Sequence, residues 1–302
     1  MRCYYCLLLL LLVGSCRTVS MEQRKIVQQF ADKTESYAAS PERIWTELAG
    51  IRESRGVYYA NSFSDPETHL KALNAIVKER LYDDSIPGRV GTVFRILDRY
   101  ARGLAELSSD SPSKNNTALL KSFGVELESL IRDYNLFDSK NTIPAGVGTL
   151  LAQSLDLGVS TWLANRQCKA MRKYVSQADP LVAAVCDAMA DYLSSDLLSG
   201  LIRNEASGVG ESFLFYFTKR SPPALESEMA YLSLMKRVEA VKELQQQSIR
   251  AAKSLKKAHA KLAELLDQKR TLNEITADLV SFYSEVEKIQ TLIAKLKHNI
   301  EG

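Results

Sequence analysis

Residues 272–300 read LNEITADLVSFYSEVEKIQTLIAKLKHNI, and within them apolar residues recur at Leu272, Ile275, Leu279, Phe282, Val286, Ile289, Ile293, Leu296 and Ile300. The steps between them alternate three and four without a break. That period keeps a single stripe of an α-helix apolar and is the heptad pattern of a coiled-coil seam. A strand, with its period of two, cannot produce it. The stretch decides for helix, and the rest of the chain can be read against the same ruler.

Immediately upstream, Val238, Val241, Leu255, Leu262 and Leu266 lie on a similar seam, weakened by Gln245, Ser248, Ala252 and His259. The phase breaks between Leu266 and Leu272, and Thr271-Leu272-Asn273-Glu274 has the form of a capping box. Two helices folding back as a hairpin account for both facts better than one continuous helix. Ser221-Pro222-Pro223 opens this region, and no Gly or Pro follows until Gly302. The reading therefore separates a coiled-coil region, 224–302, from what precedes it.

The preceding chain also reads as helix after helix. Ser40-Pro41 and Asp65-Pro66-Glu67 are helix-start signals, and Ile86-Pro87-Gly88 is a break. Val90, Val93, Phe94, Leu97, Tyr100, Leu104 and Leu107 recur at three- and four-residue steps, as do Leu120, Phe123, Leu127, Leu130 and Ile131. Gln177-Ala178-Asp179-Pro180 reads as a turn and new start, and Gly200 as a second break. Ile143 to Ala164, with Asp156 its only charge, reads as a buried central helix; its membrane-inserting alternative must bury that carboxylate at a cost of about 3 kcal/mol. Phe213 to Phe217 reads as an apolar plug, or as an interfacial anchor beside Lys219 and Arg220. With 14 Gly and 8 Pro in 302 residues, the chain has too few turn-formers for a sandwich or barrel. The expected fold is all-α: a multi-helix bundle over 40–220, preceded by a tether and first helix over 16–39, and followed by the coiled-coil pair.

The amino terminus is an address. Arg2 precedes an apolar stretch from Cys3 to Val13, too short to span a bilayer, and small residues follow it. This is the layout of a secretory signal over 1–15. Val13-Gly14-Ser15-Cys16 resembles the lipobox of bacterial lipoproteins. The resemblance implies that Cys16 becomes the first mature residue and carries acyl chains, palmitate among them. Arg17, where an Asp would retain such a protein at the inner membrane, implies the outer membrane, with the chain facing the periplasm or the surface. The alternative is an ordinary cleaved signal with a chance Cys. After export Cys168 and Cys186 remain, placed symmetrically about the expected turn; they form a disulfide or stay as two buried thiols.

Chemistry is sparse. His69, His259 and His298 are far apart in sequence and show no metal-ligand spacing. No nucleophile elbow, phosphate loop or His-Glu-x-x-His motif occurs. A net charge of +3, and a basic run from Arg250 to Arg270 without interleaved aromatics, argue against nucleic acid. No metal, cofactor or enzymatic activity is expected. The expectation is a lipid-anchored helical protein of the cell envelope with a structural or protein-binding role, meeting a protein partner or a second copy through the coiled coil. The alternative resembles α-helical pore-forming toxins, which combine long helices with one apolar segment.

Overall fold

The computed structural model describes residues 21–83, 87–109, 116–138, 140, 142–159, 164–219, 223–267 and 272–301. Among them there is no strand. The helices are α1 (Met21–Ala38), α2 (Glu42–Ala60), α3 (Pro66–Asp83), α4 (Pro87–Ser108), α5 (Asn116–Phe137), α6 (Val147–Val159), α7 (Ala164–Leu193), α8 (Asp196–Lys219), α9 (Leu225–Leu266) and α10 (Leu272–Glu301). Cys16 and the whole leader lie outside the described residues, as do Thr271 of the expected capping box and Lys269 and Arg270 of the basic run.

Local chemistry sets most boundaries. Asp65 caps α3: its Oδ2 accepts from the Thr68 amide at 2.8 Å and the Thr68 hydroxyl at 2.7 Å. Those two bonds hold the carboxyl below its usual range. α4 is described from Pro87. Ser40 behaves differently from expectation. Its hydroxyl donates back to Ser36 O at 2.7 Å, and α2 begins without a side-chain cap.

Two expected breaks are absent. α7 runs unbroken through Pro180, whose exposed position is flanked by the buried Ala178, Leu181 and Val182. Tertiary packing of both halves outweighs the lost backbone bond. α8 likewise runs through Gly200; the real break is at Ser194–Ser195, where the Ser195 hydroxyl accepts from the Leu198 amide at 3.3 Å.

α9 is the central wall. It packs on α1, α2, α7, α8 and α10. The whole weakened seam (Val238, Val241, Gln245, Ser248, Ala252, Leu255, His259, Leu262 and Leu266) is buried. So is a second face containing Leu234, Leu244, Ala251, Ala258 and Leu265. Gln245 donates to Leu193 O at 2.6 Å, and the Ser248 backbone carbonyl accepts from the Tyr37 hydroxyl at 2.7 Å, while the buried Ser248 hydroxyl has no partner among the described residues. α1 lies against α9 in the opposite direction, with Gln23 reaching Leu265 O and Tyr37 reaching Ser248 O. α10 lies along α9, where Gln247 bonds Glu285 and Ser254 meets Ser281 at 3.3 Å. One apolar core thus runs from Val27 to Leu296.

The stretch beginning at Ile143 is not central. Ile143 is pinned by a two-way bond with Asn135, and Gly146 takes a φ of 86°, which glycine tolerates. The Glu128 carboxylate then caps α6 by accepting from the Gly146 and Gly148 amides at 2.7 and 3.0 Å. α6 packs chiefly on α5 and α7. It buries Val147, Leu151 and Leu155 and exposes Leu150, Gln153, Asp156 and Leu157. No helix among the described residues is long and apolar enough to cross a membrane.

Candidate functional site

The C-terminal seam faces inward. Leu279, Phe282, Val286, Ile289 and Leu296 are buried and Ile293 is half-buried; the side chains of Leu272, Ile275 and Ile300 lie outside the described set. The Phe282 ring sits 5.8 Å from Phe30 and 6.3 Å from Tyr37. The seam therefore packs on α1 as well as α9.

The disulfide expectation is corrected. Cys168 and Cys186 are free, buried thiols on one continuous helix. Eighteen positions at 1.5 Å each separate them by about 27 Å, far beyond disulfide reach. The turn that would have brought them together does not form. Burial pushes the Cys186 thiol well above its usual range, so it remains a protonated core group.

Around Cys186 lies a cluster of buried rings. Tyr100 stacks on Tyr174 at 5.6 Å and meets His259 edge-on at 5.5 Å. The Tyr174 hydroxyl donates to Tyr100 O at 3.0 Å. Burial raises the phenols of Tyr37, Tyr100 and Tyr174 far above their ordinary value, which keeps them neutral; Tyr37 and Tyr174 donate, and the Tyr100 hydroxyl has no partner among the described residues. His259 places Nδ1 3.2 Å from Asp179 Oδ1. This hydrogen bond is the main cause of the lowered Asp179 carboxyl, followed by opposing burial and then the charges of His259 and Lys256. His259 thus serves as a core residue. His69 is remote from it on α3, and no group of three or more potential metal ligands occurs among the described residues.

Two buried carboxylates fasten α2 to the wall. Glu47 is held by Arg43 and by Arg237 of α9, each at 3.1 Å. Glu205 of α8 is held by Arg52 at 2.6 Å and Arg55 at 2.8 Å. Gly208, one turn beyond Glu205, gives the Arg55 guanidinium its space: a Cβ there would lie 2.6 Å from Arg55 Cζ. The motif-like Gly208-Val209-Gly210-Glu211-Ser212 is therefore helical packing. α3 packs chiefly on α2, and none of its described side chains is buried.

The most unusual surface lies where α2 and α8 end and α9 begins. Phe213 is buried at its centre, with Tyr58 4.3 Å, Tyr231 5.4 Å and Phe217 5.6 Å away. It is the plug. Its neighbours Leu214 and Phe215 are 66% and 54% exposed, and Leu225, Met229 and Leu232 on α9 are 68%, 57% and 49% exposed. The last three follow i, i+4, i+7 spacing, which makes a stripe on a helix face. The stripe continues into an open cleft of about 670 Å³ between α9 and α10, lined by Leu232, Met235, Ala240 and Leu292 and rimmed by charged groups. Apolar side chains grouped this way mark interaction surfaces. The seam analysis missed this stripe, because its spacing and residue types are those of a core stripe.

No family model, no curated protein and no solved structure matches this chain.

Proposed function

We propose that the protein is a lipid-anchored helical component of the bacterial envelope that binds another polypeptide through its C-terminal helices and catalyses no reaction. The anchor reading rests on Arg2, the apolar stretch through Val13 and the lipobox-like Val13-Gly14-Ser15-Cys16. Multiple acyl chains on Cys16 give stable membrane attachment, which one chain does not. α1, described from Met21, packs on the core a short distance along the chain from Cys16. The α9–α10 pair acts as an antiparallel hairpin whose inner seam is internal and whose outer face meets the partner.

The observation that carries the binding role is the exposed stripe of Leu225, Met229 and Leu232 on a helix otherwise buried on two faces. Mass spectrometry of the protein extracted from native membranes tests the anchor. Expected is a mature chain starting at Cys16 with acyl additions, and release of the Cys16→Ala variant from the membrane fraction. An unmodified Cys16, or a mature start elsewhere, overturns it. Affinity capture from those membranes tests the binding role. Dye release from liposomes by the mature chain favours the membrane-active alternative instead.

A further inference from the structure

We infer that the chain pairs with a second copy of itself, in antiparallel register, through the α9 face centred on Leu232. This deepens the binding role proposed above, and rests on it for taking the C-terminal helices as the contact element. The argument is the symmetry of the face. Residues three and four positions apart on a helix are neighbours, so Glu228, Leu232 and Lys236 form one exposed row. Glu228 and Lys236 stand four residues either side of Leu232. A two-fold axis lying in the plane of the interface at Leu232, with the two helices crossing at about 50° so that these rows align, places Glu228 of each copy over Lys236 of the other. The same operation places Leu232 over its own mate, with Met229 and Met235 each beside the same residue of the other copy.

Isologous pairing requires a patch that complements itself under rotation, and here the charged row does. Neither Glu228 nor Lys236 is engaged by an ion pair among the described residues, so both are available across the interface. The apolar members are a leucine and two methionines, whose unbranched side chains adapt to a helix crossing. The pairing buries exposed apolar stripe residues that the chain itself leaves uncovered.

The test is sedimentation equilibrium of the chain from Arg17 onward, which keeps every buried residue of the described core and, lacking Cys16, is independent of acylation. Expected is a reversible equilibrium reaching twice the single-chain mass. Leu232→Glu sets two carboxylates together on the axis and should abolish the dimer, with an unchanged thermal melt reporting intact folding. Glu228→Lys and Lys236→Glu should each weaken it about tenfold by turning two attractive pairs repulsive. An equimolar mixture of these two variants should recover wild-type affinity, because the mixed dimer restores both pairs. A single-chain mass at the highest loading overturns the proposal, and so does a two-chain mass that Leu232→Glu leaves intact. Failure of the mixture to recover affinity overturns the register.

Discussion

Replacing Glu205 with Ala removes the carboxylate that Arg52 and Arg55 share. Glu205 is 2% exposed, and its partners Arg52 and Arg55 retain only 20% and 24% exposure of their side chains. Breaking a buried pair from one side costs about 3–5 kcal/mol, because the remaining charge is stranded. Here the arginines can turn partly toward water, which places the expected loss at about 2–4 kcal/mol. At this chain length that corresponds to a Tm fall of roughly 4–8 °C. The loss should be uneven. Glu205 joins α8 to α2, and α3 rests chiefly on α2, so residues 42–83 should open first. Hydrogen exchange followed by mass spectrometry reads this directly: protection should fall across 42–83 well before it falls across α7 and α9. Glu205→Gln, which keeps the volume and some hydrogen bonding, should lose less. A loss below about 1 kcal/mol, or one spread evenly over all helices, would refute the view that this ion-pair cluster fastens the α2–α3 unit.

Gly103→Ala should destabilise by about 1–2 kcal/mol, because overpacking outweighs the roughly 1 kcal/mol gain in helix propensity; the new Cβ would overlap the buried Tyr174 hydroxyl. In a Tyr174→Phe background the same change should be neutral or stabilising, as urea titration of the four proteins will show. Asp179 has a depressed carboxyl, so its contribution is present above about pH 4, its unfolded value, and is lost as pH falls through the lower folded value. The stability gap between wild type and Asp179→Asn should therefore be constant near neutrality and close in acid, as measured by denaturation across pH. Cys168 and Cys186 should be recovered as two thiols by non-reducing mass mapping even after treatment with an oxidant, and should react with maleimide only when the chain is unfolded. Deleting residues 224–302 should leave no cooperatively melting remnant, since α9 lines the core of α1, α2, α7 and α8.

How legible this was from sequence varies with the chemistry. The described part of the heptad stretch and the Asp65 cap rest on local rules, and those features appear where the residues indicate. The second face of α9 was hidden because Ala251, Ala258, Gln247 and Arg237 fill it. Small and polar side chains carry little periodic signal, yet they are buried when hydrogen bonds or close helix approach accommodate them. Pro180 misled for the opposite reason. Its local rule is strong, but tertiary contacts on both sides overrode it, and the disulfide expectation fell with the turn. Helical spacing alone does not reveal that Leu225, Met229 and Leu232 lie on the side of α9 that meets water. That depends on where α7, α8 and α10 happen to cover it.

The long wall formed by α9 also governs when the chain can fold. Gln23 meets Leu265 and Tyr37 meets Ser248 across 242 and 211 residues of sequence. The early helices leave the ribosome long before the surface they need has been made. Contacts of such separation slow the search for the native state. Under the proposed export role this delay keeps the chain extended enough to be threaded across a membrane, and the core is completed only on the far side.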